Sequence, residues 1–207
     1  MGVVCVFPYI IPEGKSGLQV VDCLQKQVEL LGAVKAGTFC VDCETYQSNF
    51  SNTTTPQRLV HILHNSEQPA TCFAIVDTGN CLVADSQFDI LMQRLKGFYQ
   101  QRKGFKIESK GQRYEYGDFL IKIGSVLLAS SFKGILLEVE YYPCAYLGDC
   151  WNLMKELIQS VMGNVLETPP AFLKQKFNSE YGPSDTIQQY LEHFNGFRKA
   201  ASANQAR

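Results

Sequence analysis

The amino-acid sequence predicts an α+β fold: a single curled, barrel-like antiparallel β-sheet of about eight strands, flanked by about four helices. Three observations predict it. The 207-residue chain is 45% hydrophobic and only 19% charged, which suits one large core and argues against disorder. Short alternating segments fill the chain up to Tyr142, and helical periodicity dominates after it. Many short strands joined by short turns favour a sheet that curls or closes, because closure removes exposed edges.

The strands are predicted from alternation and from turn residues. Phe39, Val41 and Cys43 alternate with polar residues in one segment, and the residues 77–80 (DTGN) mark a hairpin turn. Lys110 and Gly111 indicate a second turn. The strand-like segments in chain order are residues 2–7, 37–46, 58–64, 71–76, 81–84, 105–109, 113–117, 119–129 and 134–142.

Helices are predicted where apolar residues recur at helical spacing. Ser16 and Asp149 are suitable N-caps for the first and third helices, and Gly32 and Gly163 end them. No apolar run has the length of about 20 residues that a membrane-spanning helix needs. The four predicted helices are residues 16–31, 86–99, 150–162 and 184–199. Residues 1–199 are therefore expected to form a single domain, and 200–207 a flexible C-terminal tail.

The basic residues are unevenly distributed, although the net charge is only −1. A cluster of Lys and Arg between Arg94 and Arg113 is interleaved with Phe98, Tyr99 and Phe105. We interpret this segment as a solvated helix end and hairpin. The alternatives are a surface for an acidic protein or for nucleic acid, and the acidic protein fits better because nucleic-acid binding needs many basic contacts.

Cysteines and histidines do not form a recognisable metal or redox motif. Cys40 and Cys43 have CxxC spacing, but residues three apart in a strand face opposite sides of the sheet. The same spacing separates His61 from His64. No second CxxC or CxH pair completes a tetrahedral site. The sequence therefore predicts buried free thiols, with no metal-binding or cofactor-binding residues.

Two carboxylate pairs give the strongest signal for an enzyme. Asp42 and Glu44 share one strand face, and Glu138 and Glu140 share another. If both pairs pointed into a barrel lumen, they could bind a divalent cation for triphosphate hydrolysis. Such a tunnel also needs many strand Lys and Arg residues, yet Arg58 is the only one between positions 37 and 84. We therefore predict a protein that is not an enzyme, with the carboxylates on a solvated outer face. The alternative is a metal-dependent triphosphate hydrolase of the tunnel type.

Five segments of the sequence have distinctive residue orders. They are GTFCVDCETY at Gly37–Tyr46, HNSE at His64–Glu67, FDILMQRLKGF at Phe88–Phe98, DCW at Asp149–Trp151 and YGPSDTIQQYLEHFN at Tyr181–Asn195. Together, and in this order, they resemble the Mediator of RNA polymerase II transcription subunit 20 family, also called TATA-binding-protein-related-factor-proximal protein. The resemblance implies a barrel related to the tunnel-shaped polynucleotide triphosphatases but without their chemistry, and therefore no catalytic residue.

The same resemblance implies a role and partners. Members of the family act as transcription coregulators in the nucleus, within the head module of the Mediator complex and close to RNA polymerase II. They form a heterodimer with Mediator subunit 18, which links them to Mediator subunit 8. Direct contact with nucleic acid or with a membrane is not expected.

A docking subunit needs aromatic anchors at the centre of its interface. The first candidate set lies in the C-terminal helix and the segment before it: Tyr181, Tyr190, Phe194 and Phe197. The second set, Tyr114 and Tyr116, lies on the exposed side of a predicted hairpin. For both sets, the alternative is ordinary packing within the core of the chain itself.

Overall fold

A computed structural model describes residues 2–49, 57–163 and 168–205 of the chain. Its strands are β1 (Val3–Tyr9), β2 (Val34–Ser48), β3 (Leu59–Asn65), β4 (Thr71–Val76), β5 (Cys81–Asp85), β6 (Tyr99–Gln101), β7 (Ile107–Tyr116), β8 (Phe119–Leu128) and β9 (Ser131–Tyr141). Its helices are α1 (Gly17–Leu30), α2 (Gln87–Arg94), α3 (Leu147–Met162), α4 (Ala171–Gln175) and α5 (Pro183–Gln205). None of these helices has the length and apolar character needed to cross a membrane.

The strands form one antiparallel sheet in the order β1-β9-β8-β7-β2-β3-β4-β5, with β6 paired beside β2. The predicted α+β class and antiparallel sheet are confirmed, with nine strands and five helices in the described part of the chain. Within that part, no strand pairing joins β1 to β5. The barrel is therefore not closed by hydrogen bonds between strands.

Helix α5 lies on the concave side of the sheet. Its Gln189 bonds the backbone of β1, its Tyr190 bonds Glu138 of β9, and its Arg198 bonds the Cys43 carbonyl of β2. The same helix also contacts β5, the strand at the other end of the sheet. One straight element can reach both edge strands and the central strands only if the sheet curls around it. The lumen of the predicted barrel is thus filled by a helix.

The convex side of the sheet is covered by two groups of helices. Helices α1 and α3 pack on β8 and β9, so that these strands are buried on both faces. Helix α2 covers β3 and β4 through a smaller apolar cluster formed by Val60, Ile62, Cys72, Ala74 and Met92. A strand with helices on both faces loses the simple alternation of buried and exposed residues.

Some element boundaries differ from the predicted ones. The predicted turn at Lys110 and Gly111 is wrong, because β7 runs through both residues without interruption. Gly111 lies opposite Gly124, and a Cβ atom at Gly111 would collide with the Ile123 carbonyl. The glycine is therefore required because β7 and β8 approach closely at this position.

The helix boundaries also differ from the predicted ones. Helix α2 ends at Arg94 and leaves room for β6, and the sequence analysis does not predict α4. Helix α5 continues to its last described residue, beyond the predicted end at position 199.

Candidate functional site

The inner face of the sheet carries a buried ion pair. Lys122 Nζ lies 2.8 Å from Glu138 Oε1, and both side chains are only 2% exposed. The Tyr190 hydroxyl donates to the second oxygen of Glu138 at 2.5 Å. Burial by itself lowers the pKa of Lys122, but the adjacent Glu138 carboxylate outweighs burial, so the pKa is raised. Both oxygens of Glu138 are thus occupied by groups of the chain itself.

The two carboxylate pairs do not meet. Glu140 is buried on the inner face and accepts a hydrogen bond from the Gly2 amide at 2.8 Å, and burial raises its pKa. The expectation that Glu138 and Glu140 lie on a solvated face is therefore wrong, because α5 covers that side. Asp42 and Glu44 lie on the opposite, convex side of the sheet. A single cation in a lumen cannot contact both pairs.

The convex face carries a second charged cluster beside α2. His64 Nδ1 lies 3.0 Å from Asp42 Oδ1, and His64 Nε2 lies 3.0 Å from Asp89 Oδ2 in the first turn of α2. The hydrogen bonds to Asp42 and then to Cys72 raise the pKa of His64 to about 10, against the effect of burial. The charged imidazolium therefore ties α2 to β2. No local sequence pattern relates Asp89 to His64, so sequence reasoning missed this contact.

The predicted separation of the histidines and of the CxxC cysteines is confirmed. His61 lies on the concave side and shares a 3.1 Å hydrogen bond with Thr45, whereas His64 lies on the convex side. Burial, and then the nearby Arg198, lower the pKa of His61 to about 4. Cys43 contacts Arg198 inside the curl, and Cys40 faces outward.

Basic residues of the 94–113 segment form ion pairs within the chain. Lys106 pairs with Glu44 at 3.2 Å, and Lys110 pairs with Glu108 at 2.8 Å. The Arg113 guanidinium lies 3.2 Å from a carboxylate oxygen of Glu67. Neighbouring acids thus offset the charge of these three basic residues. The interpretation of this segment as a solvated helix end fits these contacts, whereas the predicted hairpin is wrong, because β7 runs through Lys110 and Gly111.

Most of the aromatic candidates are packed inside the chain. Tyr181 is buried and its hydroxyl shares a 2.8 Å hydrogen bond with Thr186. Tyr190 and Phe194 are fully buried with their rings in tilted contact, and Tyr114 is fully buried with its hydroxyl donating to Glu29. Their burial follows from α5 filling the curl and from α1, which packs on β8 and β9 and places Glu29 against Tyr114. The candidates with accessible surface are Phe197, which is half-buried, and Tyr116, which is exposed.

Another exposed apolar region lies where the sheet ends. Leu82 and Val83 of β5 are 54% and 55% exposed, and Leu91 of the neighbouring helix α2 is also exposed. We call these three residues the β5–α2 surface. The sequence analysis proposed neither β5 nor α2 as an interface, because their apolar residues are those expected of any half-buried strand or helix.

Clefts flank β5 on both sides. On the convex side, a cleft of about 430 Å³ separates β5 from α2, and its lining residues include Ala74, Leu82, Phe88, Leu91 and Leu95. On the concave side, a cleft of about 420 Å³ is lined by residues that include Phe73, Val83 and Pro183. Successive side chains of β5 thus point into two apolar clefts.

Strand β5 also presents backbone groups at the end of the sheet. The Val76 amide donates to the Asn80 carbonyl at 3.3 Å, and the Ser86 amide donates to the Ala70 carbonyl at 3.2 Å. In an antiparallel pair, only every second residue directs its amide and carbonyl groups toward the neighbouring strand, and these two bonds show which residues of β5 do so toward β4. The residues whose amide and carbonyl groups point away from β4 are Cys81, Val83 and Asp85. β5 is the last strand of the described sheet, so these groups are available for a further strand.

The chain is similar to several known proteins. Among solved structures, the PH1012 protein from Pyrococcus horikoshii OT3 is similar with a TM-score of 0.46 and 11% identity, over 84% of this chain and 98% of that one. Mediator of RNA polymerase II transcription subunit 20 from Anopheles gambiae is 52% identical over 216 residues, covering 98% of this chain and 97% of that protein. The Homo sapiens protein of the same name is 48% identical over 202 residues, covering 96% and 95%. The family described as "TATA-binding related factor (TRF) of subunit 20 of Mediator complex" matches residues 1–195. The chain therefore belongs to the family of subunit 20 of the Mediator complex.

Proposed function

We propose that this protein is a non-enzymatic subunit of the Mediator complex that couples regulators to RNA polymerase II transcription in the nucleus. Its relatives are named as Mediator subunits, and the similarity extends over nearly the full length of both chains. A filled lumen supports a role in docking, since α5 occupies the space that a tunnel enzyme needs for its substrate. The inner-face carboxylates of Glu138 and Glu140 are both bonded within the chain.

The proposed partner is Mediator subunit 18, which in turn links the pair to Mediator subunit 8 and to the head module. We place the contact at the β5–α2 surface, and the observation that supports this is an apolar edge strand between two apolar clefts. Edge strands of monomeric proteins are usually protected by charged residues, prolines or bulges. Leu82 and Val83 do the opposite, because they expose apolar side chains at the end of the sheet.

A strand of the partner could add to β5 and bond the backbone groups of Cys81, Val83 and Asp85. Main-chain hydrogen bonds supply affinity in such contacts, and pockets for alternate side chains supply specificity. The two clefts lie on opposite faces of β5, which matches the alternation of side chains along an added strand.

Co-expression with Mediator subunit 18 tests this proposal. The chain and subunit 18 are expected to elute together at the mass of a heterodimer in size-exclusion chromatography with light scattering. Leu82→Glu and Val83→Glu each place a charge in one of the clefts and should abolish co-elution. Leu30→Glu is the matched control, since Leu30 is exposed on α1. Co-elution that survives both β5 variants would remove the contact from this surface, and the absence of any wild-type heterodimer would contradict the pairing.

Enzymatic activity is tested separately. Purified protein incubated with nucleoside triphosphate and magnesium or manganese is expected to release no phosphate above a buffer control. Phosphate release that disappears in the variant Glu138→Ala/Glu140→Ala, with the variant folded by circular dichroism, would instead support the hydrolase.

A further inference from the structure

A row of chemically distinctive side chains crosses the convex face of the sheet. In the strand register, Asp42 of β2 lies opposite His64 of β3, and His64 lies opposite Cys72 of β4. The Cys72 sulfur lies within 4.8 Å of a ring nitrogen of His64. Helix α2 crosses above this row and places Asp89 against the same ring, 3.0 Å from Nε2. A nitrogen, a sulfur and an oxygen donor from three separate elements therefore converge, with their ligand atoms within 4.8 Å of one another.

We propose that His64, Cys72 and Asp89 bind one Zn²⁺ ion. Imidazole nitrogen, thiolate sulfur and carboxylate oxygen are the three donor types that zinc uses, with bonds of about 2.0–2.3 Å, so tetrahedral ligands are separated by roughly 3.3–3.8 Å. The His64 and Asp89 donor atoms are 3.0 Å apart and all three donors lie within 4.8 Å of one another, so small side-chain movements would bring them to this spacing. Asp89 and His64 are partly exposed and can adjust, whereas Cys72 is fixed in the core. Magnesium and calcium are poor alternatives, because they prefer oxygen ligands only.

Asp42 serves as the positioning residue of this site. Its carboxylate accepts a hydrogen bond from His64 Nδ1, which leaves Nε2 directed at Asp89 and at the ion. Metal-bound histidines commonly donate their second ring N–H to a carboxylate, which fixes the tautomer and the ring orientation. On binding, the ion replaces the proton of His64 Nε2 and the proton of the Cys72 thiol. A water molecule would complete the tetrahedron from the exposed side.

Without the ion, His64 is an imidazolium that bridges Asp42 and Asp89. That bridge uses the two carboxylates, whereas the Cys72 thiol packs in the apolar cluster beneath α2 and becomes a ligand only in the zinc form. Zinc would use all of these groups and would join α2 to β3 and β4. Because α2 carries Leu91, the ion would also fix one side of the β5–α2 surface. The site itself does not depend on the proposed docking function, and its test measures metal content alone.

The test uses the untagged full-length chain. Protein stripped with a chelator is mixed with a small excess of ZnCl₂ and desalted, and the zinc content is measured by elemental analysis. The wild type is expected to retain one zinc ion per chain, and both Cys72→Ser and Asp89→Asn should reduce the retained zinc at least tenfold. Cys40→Ser and Cys23→Ser are matched controls and should retain the ion, because these thiols lie outside the cluster.

Cobalt gives an independent readout, since a Co²⁺–thiolate bond produces a charge-transfer absorption that Cys72→Ser should abolish. Asp89→Asn keeps the test decisive if Cys72→Ser fails to fold, because Asp89 is a partly exposed helix residue. A wild type without zinc would show that the cluster is an imidazolium bridge only and would overturn the proposal. Zinc retained by both variants would place it elsewhere and would overturn the proposal equally.

Discussion

The side-chain amide of Gln189 forms two hydrogen bonds with the free edge of β1: its oxygen accepts from the Val6 amide, and its nitrogen donates to the Val4 carbonyl, each at 3.0 Å. His193, one turn later, contacts the Val6 carbonyl at 3.0 Å. Side chains of α5 thus form the hydrogen bonds with the β1 backbone that a neighbouring strand would otherwise form. The two ends of the sheet therefore differ. Backbone groups at the β1 edge are hydrogen-bonded by a helix, whereas the β5 edge exposes apolar side chains.

Replacing Gln189 by leucine should destabilise the protein markedly. The change preserves approximate size but leaves a buried amide and a buried carbonyl without partners, which costs about 2–4 kcal/mol. Urea denaturation followed by circular dichroism measures the free energy of unfolding. Gln188→Leu is the control, because Gln188 is the neighbouring residue and is only half-buried. Equal stability of the two variants would show that the β1 edge does not depend on Gln189.

The buried pair of Lys122 and Glu138 should respond asymmetrically to substitution. Lys122→Met leaves the Glu138 charge buried with Tyr190 as its remaining partner, and breaking a buried pair in this way costs about 3–5 kcal/mol. The double variant Lys122→Met/Glu138→Leu should recover much of that loss, because no charge is then buried. Chemical denaturation of the single and double variants gives the coupling energy, and Lys133→Met is an exposed control. Additive losses would contradict a coupled pair.

Acid should destabilise the fold through His61. Its pKa is lowered from 6.5 to about 4 by burial and then by Arg198, so the unfolded chain takes up a proton before the native state does. The contribution to stability is complete above pH 6.5 and is lost progressively as the pH falls toward 4, by at most about 3 kcal/mol.

The comparison with His61→Asn isolates this effect. Asparagine can keep the hydrogen bond to Thr45 but does not titrate, so the variant should lose less stability than the wild type between pH 7 and pH 4. Thermal unfolding across this pH range is the measurement. Parallel pH profiles of the two proteins would show that His61 is not responsible, and that other groups such as His193 dominate.

Gly111 should tolerate no side chain. Gly111→Ala places a methyl group against the backbone carbonyl of Ile123, where only a shift of β7 or β8 can make room. We expect a loss of about 2 kcal/mol or more, as for other overpacked core positions. Gly97→Ala is the control, because a Cβ atom there meets no atom within 4 Å. The midpoints of urea unfolding decide the comparison, and equal midpoints would contradict the close approach of these strands.

Local patterns in the sequence determined the position of several strands, the faces of some residues and the family resemblance. The segment Thr71–Val76 was predicted as a strand and is one, and alternation correctly placed Cys40 and Cys43 on opposite faces. The family resemblance was also readable from the sequence, because long segments such as Tyr181–Asn195 depend on the identity and order of residues. These features are encoded over a few neighbouring residues.

Only the tertiary structure decided which face each strand buries and against what. Glu138 and Glu140 are buried because α5, some 50 residues later in the chain, returns into the curl and supplies Tyr190 as a partner. Asp89 meets His64 because α2 docks across β3 and β4. The physical reason is that periodicity defines the two faces of an element but carries no information about the distant surface that covers each face. Contacts made across the fold therefore appear only once the chain has packed.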